Sequence, residues 1–202
     1  MRRLLCILLL IVPVEISYSS VNYTRKPIVI EIVLSESERL DSLLYAIDSI
    51  SIDSLKSLIA FKETSNIPSP YKVKNRYGML GKYQFAPSTL LSLGYGRNDI
   101  KNFLEDEIVQ EEAMNKLLLA NYSYLKRSNL IRCVGKRIGG VEITLSGILA
   151  GSHLVGPASV KHYLNTGGSM TEVVLKKGQR TIKLRKVDAN GTSIKRYLSI
   201  LE

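Results

Sequence analysis

The sequence is poor in the residues that build metal centres and disulfide frameworks. It has two cysteines and two histidines in 202 residues. No His-x-x-x-His or Cys-x-x-Cys spacing occurs, so no ligand set for a transition metal is present. Cys6 lies in an N-terminal stretch that reads as a removable leader, which leaves Cys133 without an intrachain partner. Long apolar runs are also missing. The longest, Leu4 to Val14, stops at Glu15, well short of the roughly 20 residues needed to span a bilayer. Internal repeats, low-complexity segments and nucleic-acid-binding motifs are absent. Carboxylates are unevenly placed: after Glu63 the next acid is Asp99.

What is present begins with MRRLLCILLLIVPVEISYSS, two arginines followed by an apolar run and small polar residues. This is a secretory signal pattern, and cleavage near Ser17-Tyr18-Ser19 fits the small-x-small rule. Leu5 before Cys6 is not small and only five residues precede the cysteine, which argues against a lipoprotein. The expected organisation is a signal peptide over 1–19, an N-terminal extension with a first helix over 20–50, and one catalytic domain over 51–202. Roughly 180 residues remain after cleavage, enough for one domain with a true core. The expected location is periplasmic or secreted, with no stable membrane span once the leader is gone.

The formal charge is +10, of which Arg2 and Arg3 against Glu15 account for +1. A surface that basic attracts polyanions. For an exported protein those include the cell wall; a merely solubilising charge explains the number equally well. The run KKGQRTIKLRK concentrates Lys176, Lys177, Arg180, Lys183, Arg185 and Lys186. It reads either as a solvated hairpin face or as a contact for wall carboxylates.

Periodicity predicts a helical core. Ser35 and Glu38 form a capping box ahead of Leu40, Leu43, Leu44 and Ile47. Ser51 or Asp53 caps a second helix that runs to Phe61 or Glu63 before Pro68 and Pro70 forbid continuation. Residues 66–85 read as a loop or small hairpin. Pro87 and Gly94 bracket a short helix, a longer helix runs from about Asp99 to Lys126, and ITLSGILAGSHL and PASVKHYLN supply two more. TEVVLKKGQRTIKLRKV predicts two short strands about a Lys-Gly turn, and a last helix carries Ile194, Tyr197, Leu198 and Leu201. The segment IVIEIVL, 28–34, reads as a short strand or an ordered tail. DANGTS, 188–193, has calcium-like oxygens but lacks the alternating ligands and distal Glu of a calcium loop, so it reads as a turn with a helix N-cap.

Glu63 thus ends a helix, where the dipole's negative pole disfavours an anion. An acid that must donate a proton near neutral pH benefits from such a place, above all if it is partly buried.

Three segments around it carry a pattern: Glu63-Thr64 at a helix end, YGMLGKYQF with its Gly-x-x-Gln, and AGSHLVGPASVKHYL with its Gly-Pro helix entry. In kind and order these resemble the lysozyme-like lytic transglycosylases of bacteria and phages, the soluble lytic transglycosylase superfamily, over roughly residues 51 to 165. The resemblance implies a mainly α (α+β) lysozyme-like fold with a small β element. It also implies cleavage of the β-1,4 bond between N-acetylmuramic acid and N-acetylglucosamine of peptidoglycan glycan strands, with formation of a 1,6-anhydro product and without a cofactor.

Under it Glu63 is the catalytic acid and base, and Thr64 or Ser65 orients it. Gly81 lets backbone approach the saccharide or is a turn glycine. Gln84 donates a hydrogen bond to substrate or to the carboxyl, and Tyr83 is a core residue or a sugar platform. Gly156 belongs to the third motif, where His153 and Leu154 stand in place of the family's Tyr-Asn. A second carboxylate, as in ordinary glycosidases, would have to fold back from Asp99, Glu105 or Glu142. Two other readings stay open: a hydrolytic muramidase, and a non-catalytic wall-binding protein of the same fold, with envelope machinery as a further partner.

Overall fold

The computed structural model describes residues 34–201 apart from 66, 170–172, 178–179, 185 and 188–190. The leader, most of IVIEIVL, residues 178–179 between the two expected strands and the first half of DANGTS lie outside the described residues.

The class is mainly α. Helix α1 (Glu36–Asp48) starts at Ser35, whose hydroxyl accepts from the Glu38 N–H while Glu38 reaches back to the Ser35 backbone, the expected capping box. Helix α2 (Ile52–Thr64) is capped by Ser51 and stops where Ser65 turns left-handed at φ 49°. Helices α3 (Pro87–Ser92) and α4 (Arg97–Asn102) are short, and α5 (Glu107–Arg127) is the longest. Helices α6 (Leu145–Val155) and α7 (Pro157–Asn165) meet at Gly156, and α8 (Ile194–Leu198) follows near the C-terminus. Two antiparallel strand pairs complete the elements among the described residues: β1 (Arg137–Ile138) with β2 (Val141–Glu142), and β3 (Val173–Lys177) with β4 (Arg180–Leu184).

The expected single helix from Asp99 to Lys126 is interrupted: α4 ends at Asn102, a 3-10 turn spans Phe103–Glu105, and α5 starts at Glu107. Asp106 leaves the helical region at φ −126° and uses its carboxylate to accept from the Val109 N–H. A side-chain cap in mid-pattern starts a new helix, because it satisfies an N–H that would otherwise be orphaned.

Helix α6 is the axis of the body. Every residue from Leu145 to Ser152 is buried, and the helix packs against α1, α2, α5, α7 and α8. Apolar character on all sides is what places a helix inside. Ile148 and Leu149 are each fully buried, and each contributes about 1.5–3 kcal/mol. Gly147 lets α8 approach this axis. A Cβ on Gly147 would collide with the Leu198 carbonyl, whereas one on Gly151 would meet only side chains at 3.5–3.6 Å.

Polar groups fix the register of the helices. The Asp48 carboxylate, ending α1, accepts from the N–H groups of Leu145 and Ser146 at the positive end of α6. Asp41 accepts from the Ile52 N–H at 2.6 Å and ties α1 to the start of α2. With Leu40 and Leu44 fully buried, α1 belongs to the same core as the remainder of the helical body.

Candidate active site

The end of α2, the end of α6, one face of α5 and the loop at 75–86 enclose a groove of about 730 Å³, within the usual size range of small-molecule sites. Glu63 lines it, its side chain 14% exposed. It is the one carboxylate among the described residues that line the groove.

Two groups hold the Glu63 carboxyl. The Tyr197 hydroxyl donates to Oε1 at 2.5 Å, and His153 Nε2 lies 3.5 Å from the same oxygen. Tyr197 comes from α8, which reaches Glu63 because Gly147 admits that helix against α6. His153 stands in the last turn of α6, 5% exposed in its side chain, with the Phe85 ring edge-on at 5.9 Å. Its Nδ1 is buried without a partner among the described residues, and Nε2 is the nitrogen that faces the acid.

Gln84 also lines the groove. Its backbone is left-handed at φ 50°, a conformation rare outside glycine and asparagine, and its Nε2 donates to the Gly81 carbonyl at 2.8 Å. Part of its donor capacity is therefore used within the loop. Gly156, at φ 82°, joins α6 to α7 on the groove wall with open space where a Cβ would stand; Leu154 lines the groove beside it.

Four residues expected at the saccharide lie elsewhere. The Thr64 hydroxyl donates to the Ala60 carbonyl at 2.9 Å within α2, and Ser65 is an exposed helix cap, so neither hydroxyl orients Glu63 by a hydrogen bond seen among the described residues. Gly81 is a turn glycine at φ 72°, and a Cβ there would collide with the Gln110 side-chain amide. Tyr83 is fully buried and does not line the groove. An apolar ring at that position packs the core, and its hydroxyl finds a partner inside: it donates to Glu111 at 2.8 and 2.9 Å.

Glu111 and Gln110 are the support of the Gln84 loop. Lys56, 8% exposed in its side chain, sits 2.6 Å from Glu111, and Lys82 and the Tyr71 hydroxyl each approach it at 2.9 Å. Burial pushes the Glu111 carboxyl up, but the hydrogen bonds from Lys56, Lys82, Tyr83 and Tyr71 outweigh it and bring the carboxyl to about 2. Burial and then the carboxylate raise the Tyr83 phenol. Gln110 accepts from the Lys82 N–H and donates to the Tyr71 and Phe103 carbonyls, so a buried amide staples the loop to α5.

Sequence reasoning missed Tyr197 and the α5 wall. Tyr197 carried no local signal beyond its place on the apolar face of a short helix. Among the described residues no group of three or more His, Cys, Asp or Glu side chains is arranged to hold a metal ion. Asp99 caps the Gly96 N–H, Glu105 pairs with Lys72, and Glu142 is exposed on β2; none lines the groove.

No protein-family model matches the chain, and neither the curated proteins nor the solved structures yield a match.

Chemically, the arrangement offers one sheltered carboxyl in a wide groove, oriented by a phenol and an imidazole. Such a group can pass a proton to and from one oxygen of a ligand.

Proposed function

We propose that this protein is a peptidoglycan lytic transglycosylase with a lysozyme-like fold, exported to the periplasm or the medium. The observation that carries the reading is the solitary acid: Glu63 is sheltered, fixed by Tyr197 and His153, and faces a groove whose other described residues include no carboxylate. Retaining and inverting hydrolases employ a second carboxylate about 5 to 9.5 Å away, as nucleophile or to activate water. The three acids considered for that part are engaged or exposed elsewhere.

One carboxyl suffices if the nucleophile belongs to the substrate. Protonated Glu63 delivers its proton to the glycosidic oxygen, and the C1–O bond of the muramic residue breaks as the N-acetylglucosamine end departs as an alcohol. The C6 hydroxyl of the same muramic residue then bonds to C1, and its proton returns to Glu63. The acid is regenerated, no water is consumed, and the product is the 1,6-anhydro sugar. In this scheme Tyr197 and His153 are positioning residues, since they touch the carboxyl and keep it aimed.

Digestion of purified sacculi followed by mass spectrometry tests the reading. Anhydro ends are expected; reducing ends instead would make the protein a muramidase, and no released fragments would make it a wall-binding protein. Glu63→Gln should abolish products at unchanged thermal stability, and fragments released at the parent rate by that variant would overturn the assignment.

A further inference from the structure

One face of α5 also lines the groove that holds Glu63. Leu117, Ala120, Asn121, Tyr124 and Arg127 all line the groove, and their spacing of three and four keeps them on a single helical stripe. Along it the chemistry changes from aliphatic, through an amide and a phenol, to a guanidinium at the helix end.

Asn121 is the anomaly. It is 3% exposed, and its Nδ2 is sealed from solvent without a hydrogen-bond partner among the described residues. Several other buried polar side chains are satisfied: Gln110 makes three hydrogen bonds, and the Ser152 and Thr64 hydroxyls each donate to a carbonyl one turn back. Of the four buried side-chain atoms left unpartnered among the described residues, those of Asn121 and His153 belong to residues lining this groove. A buried amide with nothing to bond is costly to the free protein, and a ligand that supplies the missing partner removes that cost. Rotation about its last torsion presents either the N–H or the C=O. The complement is another amide, such as the acetamido group of an N-acetylated sugar.

Arg127 adds a second recognition element. It is exposed, lines the groove three residues beyond Tyr124, and has no ion pair with a carboxylate among the described residues. A guanidinium in that position suits a carboxylate, which it can bind through two parallel hydrogen bonds. The half-buried Tyr124 between them supplies a flat apolar face of the kind on which a pyranose ring rests.

We infer that the Asn121–Tyr124–Arg127 stripe is a substrate subsite for an N-acetylated sugar whose substituent ends in a carboxylate. In peptidoglycan this is the sugar that carries the stem peptide. The inference rests on the reading of the groove as a glycan site and deepens it: the enzyme prefers peptide-bearing over naked strands.

The test uses the leaderless full chain with Glu63→Gln, so that strands bind without being cut. Affinities are measured by calorimetry for chitotetraose, for glycan strands with their stem peptides, and for the same strands stripped by an amidase. Asn121→Leu should weaken chitotetraose at least tenfold without lowering the melting temperature, because the amide has no partner to lose. Should that variant fail to fold, the near-isosteric Asn121→Asp should show the same loss. Arg127→Gln should weaken peptide-bearing strands about tenfold more than stripped ones, and the difference should shrink with added salt.

Chitotetraose affinity within twofold of the parent in the folded Asn121 variant would overturn the subsite. Equal losses on both kinds of strand in Arg127→Gln would overturn the carboxylate contact. If the protein with Glu63 intact releases no fragments from sacculi and yet both dependences hold, the cleavage reading falls and the subsite stands; cleavage without these dependences leaves the reversed result.

Discussion

The Tyr197 hydroxyl donates to Glu63 Oε1 at 2.5 Å, joining two residues 134 positions apart. That hydrogen bond links the end of α2 to α8 at the groove, so the orientation of the acid depends on how α8 is seated. Tyr197→Phe keeps the ring in the core and removes the hydroxyl that donates to Glu63. Turnover of sacculi should fall about 10- to 100-fold in kcat with KM and melting temperature little changed. Parent-level kcat in that variant would remove Tyr197 from the positioning of the acid.

The seat of α8 depends on Gly147. A methyl group there meets the Leu198 backbone carbonyl, which cannot yield as a side chain can. Gly147→Ala should cost about 2–4 kcal/mol and lower activity with stability, since Tyr197 moves with the helix. Gly151→Ala makes only ordinary contacts at 3.5–3.6 Å and removes a flexible residue from a helix, so it should leave stability unchanged or raise it by about 0.5–1 kcal/mol. Urea unfolding of the two variants side by side checks the contrast.

On the loop side, Gly81 and Gln110 are coupled. Gly81→Ala meets both the positive φ of 72° and the Gln110 amide, and should destabilise by about 3 kcal/mol. Introduced into a Gln110→Ala chain, the same change faces only the backbone cost of about 1–2 kcal/mol. A double-mutant cycle should therefore give a coupling above about 1 kcal/mol; strict additivity would show that the amide does not brace the loop.

The Glu111 cluster predicts the response to acid. Its carboxyl is lowered in the folded protein from 4.5 to about 2, so the folded state binds fewer protons than the unfolded chain between those values. That contribution is present in full above pH 4.5 and is lost as the pH falls towards 2. With the side chain 30% exposed, about 2 kcal/mol is a fair magnitude after allowance for solvent screening. Glu111→Gln should flatten the stability curve in this window and lower stability at neutral pH, because buried Lys56 loses its nearest countercharge. At the alkaline end Lys82, raised by Glu111 and Tyr71 against the opposing effect of burial, contributes stability that is lost as pH rises through its elevated value.

The sequence by itself determined most of the helices and their starts, but not the interruption between Asn102 and Glu107. Ser35 with Glu38, Ser51, Pro87 and Gly156-Pro157 act through hydrogen bonds and steric limits that reach three or four residues, so they are legible in one dimension. The same local rules placed Glu63 at a helix end and Gln84 in a turn, and both line the groove. Only the tertiary structure decided which neighbours surround the acid. Tyr83 faces Glu111 and Thr64 turns back on its own helix, while Tyr197 and Asn121, which no motif marked, line or support the groove. The reason is that a side chain's direction is fixed by packing against elements distant in the chain. Here that packing is set by Gly147 on a buried axis, whose effect on α8 is invisible until the two helices are brought together.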